Sequence, residues 1–215
     1  MAVSVGWASE VCLVFGGAGN DTVAGNAGND SVTGGVGNDS LSGDLGNDKL
    51  WGGDGNDTIN AGTGDDSVYA GTGNDLMDGD AGNDFLQAGA GNDTVLGGTG
   101  NDTLLGGTGD NVLSGGSGDD TFRFTTNQSK QATDYIIDFD KVLGAGGDVL
   151  SFNHVLGGTL TFTSAFCANT DPLLENNLSK MDTMITVAGN GWTYTLWVLD
   201  TVITQADQGD SWLLF

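Results

Sequence analysis

From Gly16 to Arg123 the chain places one apolar residue in every nine, without a gap or a slip. Those residues are Val23, Val32, Leu41, Leu50, Ile59, Val68, Met77, Leu86, Val95, Leu104, Leu113 and Phe122. Each is flanked by two mostly polar residues, the signature of a three-residue strand that buries one face. The six residues ahead of each strand are rich in glycine, which reaches the positive-φ conformations that tight turns demand. A strand so short cannot stand alone. Stacked copies would bury their apolar positions in one shared stripe, so the period predicts a parallel coil.

The twelve units run from GGAGNDTVA, beginning at Gly16, to GGSGDDTFR, ending at Arg123. The apolar residue is eighth in each, and the fourth is Gly in all twelve. The sixth is Asp in eleven: Asp21, Asp30, Asp39, Asp48, Asp57, Asp66, Asp75, Asp84, Asp93, Asp102 and Asp120. In the eleventh unit, GGTGDNVLS, the usual Asn-Asp pair is exchanged, so Asp110 stands fifth and Asn111 sixth.

Composition sharpens this. The chain has 29 acidic residues against 5 basic ones, for a net charge of -24, and all of the acids except Glu10 and Glu175 are Asp. Short carboxylates beside glycines favour turns that bind a hard cation, whereas a merely solvated acidic surface mixes Asp and Glu. The charge argues against nucleic acid or an anionic membrane as a partner, both of which need basic patches. No apolar run reaches the length of a membrane span, and the start, MAVSVGWASEVCLVF, lacks the basic region of a Sec signal peptide. Cys12 and Cys167 are too few for a disulfide framework; free thiols and a single disulfide both remain open.

The pattern resembles the RTX (repeats-in-toxin) calcium-binding nonapeptide family, with its GGxGxDxUx phrase. The resemblance implies an all-β fold: a right-handed parallel β-roll, two nonapeptides per coil, capped by a small C-terminal β domain. Odd and even units then feed opposite sheets. It also implies Ca²⁺ between successive turns on the same side, held by the sixth-position Asp residues and turn carbonyls. Asn111 is then a weak ligand. Six turns per side leave five gaps, so about ten ions are expected. Folding should depend on calcium, because binding energy is released only once the ligands are assembled. Under this scheme the odd column ends at Asn111, making the Asp93–Asn111 site the weakest, and the even column ends at Asp120.

Three segments are expected: an N-terminal strand, cap or assembly segment at 1–15, the roll at 16–123 and the C-terminal cap at 124–215. In the tail, Phe122/Phe124, Asp134 to Phe139 and Asp148 to Phe152 resemble the strands that follow the repeats in RTX proteases. TLTFTSAFC and TMITVAGNGWTYTLWVL read as further strands, with a hairpin turn at Gly189-Asn190-Gly191. The terminal DSWLLF resembles an uncleaved type I export signal, which points to an extracellular or cell-surface location.

Nothing points to catalysis. HExxH, GxSxG and Walker A motifs are absent, lone His154 has no partners for a zinc site or triad, and only 15 residues precede the first repeat. The expected function is therefore a non-enzymatic, calcium-stabilised structural protein that self-assembles into a filament, surface layer or matrix. Outward residues of the even units, Lys49, Trp51, Tyr69, Phe85 and Leu105, call for a covering surface: the chain's own tail or another subunit. The N-terminal stretch, where Val3, Val5 and Trp7 alternate, caps its own roll or lies on a neighbour. The alternatives are an adhesin or carbohydrate-binding module using Trp51 and Tyr69 on a cell-surface glycan, and an export and folding module of a larger RTX protein.

Overall fold

The computed structural model describes residues 2–4, 11–125, 132–139, 148–153, 159–165, 182–189, 192–198 and 213–214. Among them every regular element is a strand, and the strands form two sheets. One sheet holds β2 (Leu13–Ala18), β4 (Ser31–Val36), β6 (Lys49–Asp54), β8 (Ser67–Thr72), β10 (Phe85–Ala90), β12 (Thr103–Thr108), β14 (Thr121–Thr125), β16 (Val149–Asn153) and β20 (Leu213–Leu214) in that spatial order. The other holds β1 (Ala2–Ser4), β3 (Thr22–Ala24), β5 (Ser40–Leu45), β7 (Thr58–Thr63), β9 (Leu76–Ala81), β11 (Thr94–Thr99), β13 (Val112–Ser117) and β15 (Ala132–Ile136). It continues through β19 (Trp192–Val198), β18 (Asp182–Gly189) and β17 (Thr159–Ala165).

Within the repeats each strand pairs in parallel with the strand two units on, as in Val32↔Leu50 and Leu41↔Ile59. Two nonapeptides thus make one coil, and odd and even units supply opposite sheets, as the family resemblance implies. The eighth-position side chains meet between the sheets, all twelve of them 0–2% exposed, from Val23 to Phe122. The first residue of each unit is Gly or Ala, and Ala61, Ala70 and Ala88 are fully buried beside that stripe. In the calcium-loaded roll, Leu50→Ala should therefore cost about 2–5 kcal/mol in urea unfolding. Leu45→Ala, at a residue 57% exposed, should cost almost nothing.

The strands are longer than the three residues predicted: most span six, adding the first three residues of the next unit. Pairing between coils continues through the glycines, as in Gly17↔Gly35, and Gly37 N–H donates to the Asp54 carbonyl at 2.7 Å. The fourth-position Gly has two reasons to be invariant. Gly37 sits at φ 130°, and a Cβ there would collide with the carbonyl oxygen of Gly19 in the coil below. The turns stack too closely, in a conformation too unusual, for a side chain.

Both ends of the roll carry on past the repeats. Leu13 to Phe15 pair with Ser31 to Thr33 and bury Val14, and Ala2–Ser4 pair with Thr22–Ala24. The amino-terminal stretch thus lies on its own roll at Ala2–Ser4, while Val5 and Trp7 lie outside the described residues. At the other end β15 and β16 extend the two sheets and bury Ile136 and Leu150 in the same core. Phe139 packs on Phe122 with ring centroids 6.1 Å apart. Strands β17, β18 and β19 form an antiparallel meander, with Gly189 opposite Trp192; Asn190 and Gly191 lie outside the described residues. Leu213 and Leu214, in the proposed export signal, pair with Leu150 and Ser151. Cys12 is half-buried beside the start of β2, while Cys167 and His154 lie outside the described residues.

Candidate metal centre

The sixth-position side chains turn inward where the strand begins, and all twelve are buried, at 0–4% exposure. Their spacing of eighteen residues stacks them in two columns, one along each edge of the roll. Within a column the carboxylates hold one another's backbones. Oδ1 of Asp39 accepts the N–H of Asp21, Oδ1 of Asp57 that of Asp39, and Oδ1 of Asp75 that of Asp57. Asp93 and Asn111 continue the odd column. In the even column Asp30, Asp48, Asp66, Asp84, Asp102 and Asp120 do the same, beginning at the Cys12 N–H. These bonds measure 2.6–2.9 Å.

The fifth-position residues form a second, exposed ladder of opposite polarity. Oδ1 of Asn20 accepts the N–H of Asn38 at 3.0 Å, and Oδ1 of Asn38 that of Asn56 at 2.9 Å. Asp65 takes the Asn role in the even units, accepting from Asn83 at 2.9 Å. Asp pairs such as Asp65-Asp66 are thus divided between an outer ladder and an inner column.

The other oxygen of each inner carboxylate is the telling one. Among the described residues, Oδ2 of Asp21, Asp30, Asp39, Asp48, Asp57, Asp66, Asp75, Asp84, Asp93, Asp102 and Asp120 is buried and receives no hydrogen bond. Eleven such atoms in register amount to a repeated demand for a positive partner, since a buried polar atom left unmatched costs about 1–3 kcal/mol, and more when charged. Turn carbonyls face the same space. A methyl on Gly34 would lie 2.5 Å from Oδ2 of Asp39 and 2.7 Å from the carbonyl oxygen of Gly52 in the next coil. Carboxylate and carbonyl oxygens at alternating levels are the donor set of a hard divalent cation. Among the described residues no three His, Cys, Asp or Glu side chains gather at one point, so a site here draws on backbone as much as on side chains.

Electrostatics agree with the geometry. Burial pushes Asp48, Asp57, Asp66, Asp93 and Asp102 up to about 6, and Asp84 up to about 7, against the partial relief of their backbone hydrogen bonds. Column neighbours add to the rise, Asp66 and Asp30 acting on Asp48, and Asp75 and Asp39 on Asp57. Burial raises Asp75 and Asp120 as well.

The expected column ends are wrong. Asn111 N–H donates to Oδ1 of Asp134 at 3.0 Å, and Asp120 N–H donates to Oδ1 of Asp148 at 3.0 Å. Both acids are buried, and both columns therefore run one step into the tail. Asp134 and Asp148 were missed because they stand 23 and 28 residues after their neighbours instead of 18. A local signal was present: Asp134-Tyr135-Ile136 and Asp148-Val149-Leu150 keep the sixth-to-eighth portion of the repeat phrase. Asp110 is exposed and accepts the Thr133 N–H at 2.8 Å, in the outer ladder.

A two-sheet parallel solenoid edged by columns of buried aspartates defines a class: a repeat roll whose edges carry the donor set of a hard divalent cation. The chain belongs to the RTX calcium-binding nonapeptide repeat family, whose four-copy profile matches residues 15–50, 51–86 and 87–122, half of the chain. The roll itself is a structural, non-catalytic element. No curated protein sequence matches the chain. Among solved structures, the crystal structure of extracellular lipase LipA from Serratia marcescens is similar over 94% of this chain and 40% of that one, with 17% identity and a TM-score of 0.33. The chain thus spans two fifths of that lipase's length.

Proposed function

We propose that this chain is a non-enzymatic, secreted calcium-binding structural protein whose roll forms on calcium and then self-assembles. The observation that carries the calcium reading is the set of eleven buried Oδ2 atoms that receive no hydrogen bond. Asp21, Asp30, Asp39, Asp48, Asp57, Asp66, Asp75, Asp84, Asp93, Asp102 and Asp120 are the ligands, with the turn carbonyls beside them. Bound calcium supplies divalent positive charge to oxygens that otherwise face one another as buried like charges. The number of orphaned oxygens raises the expected total from about ten ions to eleven, because the even column continues to Asp148.

Extracellular calcium modules bind with dissociation constants of about 10⁻⁴–10⁻³ M, so such a roll stays unfolded inside a cell and folds outside. That suits export as an unfolded chain by a type I system, and no helix of the described residues is long and apolar enough to cross a membrane.

Self-assembly rests on the start of the nine-stranded sheet. Among the described residues β2 is its terminal strand; Leu13 and Phe15 in it are 67% and 59% exposed, and Val11 just ahead of it is 77% exposed. An exposed apolar edge strand is a template for another chain. The outward row Trp51, Tyr69 and Phe85 lies on the same sheet. Trp51 and Tyr69 stack at 6.0 Å with planes 10° apart, and Tyr69 meets Phe85 at 5.7 Å. Rings that cover one another's faces offer less to a sugar, which weighs against the glycan-binding alternative.

The calcium-loaded protein is expected to form large species in light scattering and ordered assemblies in electron microscopy. The double variant Leu13→Lys, Phe15→Lys should stay monomeric while binding the same amount of calcium, because charged edge residues block strand addition. A native protein that stays monomeric at high concentration overturns the assembly reading. Glycan binding lost in Trp51→Ala, with assembly intact, would favour the adhesin.

A further inference from the structure

The one sixth-position residue that is not Asp is also the one whose side chain is fully satisfied. Asn111 is 0% exposed. Its Oδ1 accepts the Asp93 N–H at 2.9 Å, as an Asp would. Its Nδ2 takes the place of the orphaned Oδ2 and donates to Oδ1 of Asp134 at 2.9 Å, with a longer contact of 3.4 Å to the Gly109 carbonyl. The amide cannot sensibly turn over: reversed, it would set NH₂ against the Asp93 N–H and C=O against the Asp134 carboxylate.

Two further side chains close the same interface without a cation, and Asp134 itself is doubly engaged. Asp138 accepts Ser114 Oγ–H at 2.6 Å, Gly115 N–H at 3.0 Å and Gly116 N–H at 2.8 Å. Asp110 accepts the Thr133 N–H at 2.8 Å. Oδ1 of Asp134 accepts two N–H groups from Asn111, one from its backbone and one from its amide. Bonds from N–H groups to an ionised carboxylate are roughly twice as strong as neutral ones. Where both levels carry Asp, as from Asp21 to Asp93 and from Asp30 to Asp120, the corresponding contact sets carboxylate against carboxylate.

We propose that the Asn111–Asp134 interface is a metal-free joint: an amide takes the cation's place, so the eleventh repeat stays docked on β15 when calcium is absent. The inference rests on the calcium reading of the other coils. It also moves the weak site expected between Asp93 and Asn111 one step along. Asp93 keeps its forward-facing oxygen, while Asn111 presents N–H groups to the next level.

Hydrogen exchange of the full chain, with and without chelator, tests this. In chelator, amides of Asn111, Gly115, Gly116, Thr133, Tyr135 and Ile137 should exchange about tenfold or more slowly than those of Asp39 and Asp57. Asn111→Asp should bring the joint's amides to the same fast exchange in chelator and raise the calcium bound per chain by one. Asp134→Asn, which keeps an acceptor for the amide, should retain the protection. Fast exchange at the joint in the native chain overturns the proposal, as does an Asn111→Asp variant unchanged in both stoichiometry and protection. Failure of the calcium reading looks different: no calcium bound and no slowing anywhere in repeats one to nine when calcium is added.

Discussion

In chelator at neutral pH the roll from Asp21 to Asp102 is expected to melt into coil, and millimolar calcium should restore it. The magnitude follows from the columns. Neighbouring carboxylates lie about one strand spacing apart, roughly 4.8 Å, where two unit charges repel by on the order of 3 kcal/mol at an effective dielectric of about 20. A folded domain is stable by only about 5–15 kcal/mol, so a few uncompensated contacts exhaust the margin. The hydrophobic stripe cannot carry the fold alone, because each repeat buries a single side chain with Gly or Ala beside it. Far-UV circular dichroism should therefore switch between coil and β signatures as calcium is removed and restored. The transition should be steep, since each ion needs two adjacent levels already in place. A β spectrum indifferent to chelator would remove the calcium reading altogether.

What the sequence made legible was whatever repeats. The apolar eighth position, the sixth-position Asp and the invariant fourth Gly recur with a period of nine; that period implies a parallel coil with one shared core, and the family resemblance adds the two sheets and the two carboxylate columns. Strand length was not legible, because the added residues are glycines and small polar groups that local propensity assigns to turns. Their extended pairing is imposed by the coils above and below, as Gly35 shows against Gly17 and Gly53. The tail ligands Asp134 and Asp148 were hidden by longer connections that break the register while sparing the phrase around each acid. Cys12 is the mirror case, sitting at the place a sixth residue would take and donating its N–H to Asp30 without a carboxylate of its own. The Asp110-Asn111 exchange was visible as a lost charge. Only the placement of Asp134 opposite Asn111 turns that loss into a gained hydrogen bond.

Acid is expected to replace calcium in part, and the sign distinguishes this from ordinary acid denaturation. In the metal-free roll burial raises Asp48, Asp57, Asp66, Asp93 and Asp102 to about 6 and Asp84 to about 7, from 3.8. The folded state therefore binds more protons than the unfolded chain between about pH 4 and pH 7, and its stability falls as pH rises through that window. Below pH 4 both states are protonated and the contribution is complete; above pH 7 it is gone. Most proteins lose structure on acidification because their native carboxylates are stabilised as anions. Here the columns reverse that order, because the buried Oδ2 atoms of these six aspartates gain a proton where they have no other partner. In chelator, β signal should thus grow as pH is lowered from 7 to 4, while with saturating calcium the same acidification should displace the ions and weaken the holo form. The joint at Asn111 is held by N–H bonds to the carboxylates of Asp134, Asp138 and Asp110, which already have donors, so its protection should not grow on acidification as that of the columns does. Circular dichroism titrated in chelator, with exchange read at Asn111 and Asp57, checks both halves. A chelated chain that gains β structure as pH rises would mean that the columns are stabilised as anions by something other than metal.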